Sequence, residues 1–174
     1  MLRVLAAVLL ALVLTGCADE PVTAPAPSPD AAFLSGMIPH HEQALELSAM
    51  VGGRGGSPQL EATALRIDRE QVEEIGQMQG LMRARGLEPT PVGMMHGMAD
   101  AATLATLRSS RGAAFERLWF DTMISHHAGA LMMARDYLAT GTDETLRRYA
   151  QVAVSTQSGE IEAMRAMRTS IAGP

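Results

Sequence analysis

Residues 33–50, FLSGMIPHHEQALELSAM, lie without a gap on residues 119–136, WFDTMISHHAGALMMARD. Six positions coincide: Met37/Met123, Ile38/Ile124, His40/His126, His41/His127, Ala44/Ala130 and Leu45/Leu131, each 86 residues apart. At the same separation Leu60, Ala64, Gln71, Glu74, Ile75 and Met78 fall on Leu146, Ala150, Gln157, Glu160, Ile161 and Met164. Two distant segments that agree on one frame argue for a duplicated unit, about residues 30–86 and 112–170.

Each unit reads as a pair of helices. The first helix is expected to open with Asp30 as N-cap and to stop at Gly52-Gly53-Arg54-Gly55-Gly56; the second takes Ser57 as N-cap and Pro58 as its first residue, and stops near Gly86. In the second unit a helix is expected from about Gly112 to Ala139 and another from about Asp143 to Ser170. Leu87 to Ala99 reads as a loop, and Asp100 to Ser109 as a short connecting helix. No alternating strand pattern competes, so the expected class is all-α, a four-helix bundle made of two hairpins.

The second helix of each unit carries a bundle seam at steps of four and three: Leu60, Ala64, Ile67, Gln71, Glu74, Met78 and Leu81, then Leu146, Ala150, Ala153, Gln157, Glu160, Met164 and Met167. Gln and Glu interrupt an apolar stripe twice. A buried carboxylate is costly unless it is paired, hydrogen-bonded or bound to a cation.

The first helix of each unit offers that partner. Met37 precedes His40 and His41 by three and four residues, and Met123 precedes His126 and His127 likewise, so a thioether and at least one imidazole share a helix face. Adjacent histidines diverge by about 100° around a helix, so one ring of each pair is a ligand candidate and the other a supporting group; the spacing does not choose between them. Pro39 adds a local irregularity where the second unit has Ser125. The candidate metal site is therefore Met37, His40, His41, Glu74 and Met78 with their copies Met123, His126, His127, Glu160 and Met164. The remaining histidine stands in Met94-Met95-His96-Gly97-Met98, where Met94, Met95, His96 and Met98 form a candidate capture site. The competing readings are core-filling methionines and His–Glu pairs that only fix helix register.

Ligand softness selects the metal. Thioether sulfur favours Cu(I) or its mimic Ag(I), and imidazole accepts copper, zinc or iron, so copper is the expected ion and another transition metal the alternative. The only cysteine is Cys17, which leaves the folded part without thiolate ligands or disulfides.

Composition bounds the rest. The chain has 174 residues, 47% hydrophobic and 3% aromatic, with a formal charge of −5, a size for one domain and a balance that excludes a basic nucleic-acid binder. Arg3 and the apolar run Val4–Leu14 have the layout of an export signal, too short to span a bilayer. Leu14-Thr15-Gly16-Cys17 resembles the lipobox of bacterial lipoproteins, which implies a lipid on Cys17, a membrane anchor and an extracytoplasmic location. Residues 18–29, with four prolines, then form a tether of about 35 Å at 3.1 Å per residue.

The paired Met-Ile-x-His-His-x-x-Ala segments, Met37 to Ala44 and Met123 to Ala130, resemble those of the secreted bacterial family catalogued as domain of unknown function 305. Gly97-Met98 and Phe115-Glu116-Arg117-Leu118-Trp119-Phe120 resemble two further segments of that family, with Glu116 in place of Asp and Trp119-Phe120 in place of Phe-Leu. The resemblance covers about Asp30 to Met167 and implies a ferritin-like four-helix bundle and copper or silver binding.

Three functions follow as expectations. The first is a lipid-anchored copper-binding protein that sequesters the ion or hands it to a transfer partner or a second copy of itself. The second is a ferritin-like metal oxidase, disfavoured because Gln-x-x-Glu replaces Glu-x-x-His. The third is a metal-free interaction module at the membrane. No nucleophile–base pair or phosphate loop stands out, so catalysis is not expected.

Overall fold

A computed structural model describes residues 27–93 and 95–171. The expected signal and lipobox, including Cys17, residues 18–26 of the tether, and Met94 lie outside the described residues. Five helices follow one another: α1 (Pro29–Ala49), α2 (Pro58–Arg85), α3 (Ala101–Ser109), α4 (Gly112–Thr140) and α5 (Glu144–Ser170). The long ones form the two expected hairpins, α1 with α2 and α4 with α5, joined through an α1–α4 contact. There is no strand among the described residues, and no described helix is long and apolar enough to cross a membrane.

The helix ends follow local chemistry. Ser57, Asp100 and Asp143 cap α2, α3 and α5 through side-chain oxygens that accept from Leu60, Thr103 and Leu146 N–H, and Gly86 ends α2 in the left-handed conformation at φ 59°. One expected boundary needs correction. The N-cap of α1 is Ser28, whose Oγ accepts from Ala31 N–H at 3.1 Å, and Asp30 lies in the first turn. Pro29 decides this: its fixed φ suits the first helical position and it has no N–H to leave unpaired, so it belongs to the helix and not to the tether. Asp30 instead accepts the Tyr137 hydroxyl at 2.7 Å, tying the start of α1 to α4.

The core comes in two parts. One cluster holds Leu47, Leu60, Ile67, Phe115, Trp119, Phe120, Met123 and Met164; the other holds Phe33, Leu34, Met37, Met78, Ala134, Tyr137 and Leu146. Along all four long helices the residues between them are polar: His40 and His41, Gln71 and Glu74, His126 and His127, Gln157 and Glu160. The repeat thus builds a polar layer across the middle of the bundle, closed above and below by apolar side chains. The Trp119 indole N–H to Leu47 C=O at 2.8 Å and the stacked Phe33 and Tyr137 rings, 4.5 Å apart, lock α1 on α4 on either side of that layer.

Candidate metal centre

The helical offset of about 100° sends the adjacent histidines to different neighbours. His41 and His127 turn toward the second helix of their own hairpin, where Nε2–H donates to Glu74 Oε2 at 2.8 Å and to Glu160 Oε2 at 3.0 Å. His40 and His126 turn toward each other across the α1–α4 contact, with ring centroids 3.8 Å apart and planes inclined by 37°. The two rings of each pair thus have different partners, the one a glutamate of its own hairpin and the other the matching histidine of the second hairpin.

All four histidines are at most 2% exposed. His40 Nε2–H donates to His96 C=O at 3.1 Å, and His126 Nε2–H donates to His40 C=O at 2.9 Å. Carbonyl and carboxylate oxygens only accept, so in each neutral ring the proton sits on Nε2 and the lone pair on Nδ1. Burial, then the neighbouring His41, pushes His40 down to about 4, against the pull of the His96 carbonyl. Burial, with His40 and His127 adding, holds His126 well below the ordinary range. The Nδ1 atoms of His40, His41 and His127 are buried without a hydrogen-bond partner. Leaving such an acceptor unmet costs on the order of 1–3 kcal/mol, and a lone pair of that kind is what a transition-metal cation takes.

The predicted sulfurs flank this layer. Met37 and Met78 are buried in one cluster, Met123 and Met164 in the other, and none of the four is exposed. Among the described residues no three His, Cys, Asp or Glu side chains gather where they could hold a metal ion. Each carboxylate is taken by its own imidazole, so a cage built here must draw on methionine sulfur.

The connector is joined to the layer in a way the sequence did not disclose. His96 has an exposed side chain, Met95 and Met98 are half-buried, and the bond to His40 comes from the His96 backbone carbonyl. A Cβ on Gly129 would meet His96 O at 1.9 Å, so the loop seats directly on α4 because that position has no side chain. Gln43 pins it further, accepting from Ala99 N–H at 2.7 Å and donating to Ala99 C=O at 3.0 Å.

Arg66 is the other residue that sequence reasoning missed. It donates to Glu160 across the bundle and to Glu70 Oε2 at 3.0 Å on its own helix. Burial alone would raise the Glu160 carboxyl, but His127 first, and then the hydrogen bonds with Glu70 and Arg66, outweigh it and bring it to about 2. Glu70 is pushed up, by burial first and then by Glu160 beside it. The Arg66/Glu70 spacing of four was a visible signal of a helical ion pair; its reach to Glu160 was not. Glu116 also acquires a role: its carboxylate accepts from the Ser57 hydroxyl and from Ser57 N–H, the latter at 3.1 Å, and so anchors the start of α2.

Comparison with known proteins adds the following. The model of the domain of unknown function DUF305 matches residues 30–168. A DUF305 protein from Streptomyces coelicolor, described as secreted, is 30% identical with a TM-score of 0.76, covering 84% of this chain and 98% of its own. A DUF305 fragment from Deinococcus radiodurans is 31% identical with a TM-score of 0.75, covering 84% and 99%. CopM in a Cu(I)-bound form is 29% identical with a TM-score of 0.69, covering 83% and 98%, and CopM has also been solved with silver, with Cu(II) and without metal. Among curated proteins there is no match.

Proposed function

The chain belongs to the DUF305 family, and from that premise we propose that it is an exported, lipid-anchored protein that binds monovalent copper, or its mimic silver, for sequestration or transfer, and that it is not an enzyme. One observation carries the reading: imidazole lone pairs on Nδ1 of His40, His41 and His127 are buried without donors in a layer bounded by four buried methionines. The copper- and silver-bound forms of CopM, a protein of the same fold, support it. Export and the anchor rest on residues 3–17, and the description of the Streptomyces coelicolor protein as secreted agrees with export.

The residues divide the work. Glu74 and Glu160 accept the Nε2 protons of His41 and His127. A carboxylate in that position orients the ring and raises the basicity of the opposite nitrogen, which then faces a cation as donor. Met37 and Met78 serve the first unit and Met123 and Met164 the second, each about one turn from its histidine or glutamate, and soft sulfur selects Cu(I) over harder ions. His40 and His126 join the two halves, while the surface-facing His96 ring with Met95 and Met98 is available to capture an ion before transfer.

The test is competition for Cu(I) under anaerobic conditions against a chelator of moderate affinity. The purified protein should retain the ion, and His41→Ala with His127→Ala should lower its affinity at least 100-fold with the helical fold intact by circular dichroism. Retention by the double variant would remove these histidines from the ligand set. No retention by the unaltered protein would favour the rival reading, a metal-free bundle in which His–Glu pairs only fix register; that rival draws on the lack of a three-residue His/Asp/Glu cluster among the described residues.

A further inference from the structure

The duplication predicts two equivalent centres, yet the residues that face them across the α2–α5 seam are not duplicated. Position 66 of the first unit corresponds to 152 of the second, 70 to 156, and 63 to 149. Facing Glu160 are Arg66 and Glu70, with Thr63 bonded to Gln59 C=O at 2.8 Å and to Met167 Sδ at 3.5 Å. The matching positions of the second unit are Val152, Thr156 and Tyr149, of which Val152 and Tyr149 lie beside Glu74. Val152 and Tyr149 line, with Glu74, Leu81 and Arg148, a groove of about 490 Å³ between α2 and α5. Glu74 is accordingly 19% exposed where Glu160 is 6% exposed.

From this asymmetry, and resting on the metal-binding reading above, we infer that the two centres load in order: the cation enters at the groove over Glu74 and is taken first by the His41 centre, while Arg66 bars the equivalent entrance and holds the His127 centre in reserve. Three effects act in one direction. Arg66 covers Glu160, closing the way from solvent. It also shares the carboxylate that polarises His127, holding Oε1 while the imidazole keeps Oε2, and so draws off part of the charge that makes the opposite ring nitrogen basic. Finally it places a guanidinium in direct contact with the supporting carboxylate, a charge only partly offset by Glu70, whereas Arg148 lines the groove over Glu74 without an ion pair to it. Arg66 is thus a positioning residue: it touches no ion and acts through Glu160.

The experiment uses Ag(I), which is redox-inert under these conditions, and long-range proton–nitrogen NMR of the histidine rings in the purified protein. At half an equivalent of Ag(I), the bound fraction at His41 should exceed that at His127 at least tenfold. Arg66→Val, which installs the residue found at the matching place of the other unit, should bring the two fractions within about twofold. Val152→Arg, at a position 57% exposed and so tolerant of a long side chain, should lower the His41 fraction toward that of His127. Equal filling in the unaltered protein, or an unchanged ratio in Arg66→Val, overturns the ordered loading while leaving metal binding intact. No perturbation at either pair overturns both.

Discussion

The His41–Glu74 and His127–Glu160 pairs are one contact made twice, at 2.8 and 3.0 Å, set in two different surroundings. Inside each hairpin the Met, His, Gln and Glu positions of the polar layer and its flanks keep the same residues in the same register. Across the outer seam, where α2 and α5 stand opposite each other, Arg66 answers Val152 and Thr63 answers Tyr149. A duplicated fold can therefore hold its His–Glu pair fixed within each copy and diverge across the α2–α5 seam, which leaves one pair closed and the other beside an open groove.

The sharpest way to break the comparison is to remove the two carboxylates in turn. Glu160→Ala strands the buried His127 ring and the inner part of Arg66, and should cost about 3 kcal/mol in urea unfolding, less than a fully buried pair would because Arg66 is 38% exposed. Glu74→Ala strands His41 and the long 3.4 Å bond from Gln71 beside an open groove, leaves no guanidinium behind, and should cost about 1 kcal/mol. Equal losses would mean that the Arg66 contact adds nothing to the closed half.

Acid should weaken both halves together, because the adjoining His40 and His126 rings join them. His40 titrates at about 4 in the folded chain against an ordinary 6.5, so between those values the unfolded chain takes up a proton that the folded one refuses. The contribution is whole above pH 6.5 and drains away as the pH falls toward 4, on the order of 3 kcal/mol in total. Glu160, brought to about 2, withdraws its own share between pH 4.5 and 2. Urea midpoints at pH 7 and pH 4.5 check this, and His40→Gln should flatten the difference between them.

A smaller effect separates the halves again. Gly129→Ala places a methyl group at 1.9 Å from His96 O, so the connector must lift from α4. The cost should be about 1–3 kcal/mol, as for other forced insertions into packed sites. His40 should lose its carbonyl partner while His126, bonded to His40 C=O, keeps its own. Histidine NMR would show a shift at His40 alone; matching shifts at both rings would mean that the connector does not belong to the first unit in particular.

Most of the frame was legible because it rests on short-range rules. Helix caps at Ser57 and Asp100, a helix start near Asp143, the stop near Gly86 and the seam through Gln71 and Glu74 all follow from spacing and local hydrogen bonding. The start of α1 differs by two residues from the expected one because Ser28 and Asp30 are both good caps, and Pro29 between them, which decides it, also suits a proline-rich tether. Which histidine of each pair meets Glu was not legible, since it depends on how the hairpins are rotated about one another. Arg66 reaching Glu160, and a backbone carbonyl of His96 serving His40, are contacts between residues 94 and 56 positions apart, and no local pattern encodes them. The first did leave a trace: the repeat pairs Arg66 with Val152, a mismatch beside the matched Gln and Glu of the seam.

The central claim is that the proton of each imidazole sits on Nε2 and that Nδ1 is the nitrogen offered to metal. Long-range proton–nitrogen NMR of the uniformly labelled protein, recorded before and after addition of one equivalent of Ag(I), reads this directly. The account predicts the Nε2–H tautomer for His40, His41, His126 and His127 without metal, and a coordination shift confined to Nδ1, largest at His41, once silver is present. A ring protonated on Nδ1, or a silver shift on Nε2 with release of the Glu74 contact, would contradict it.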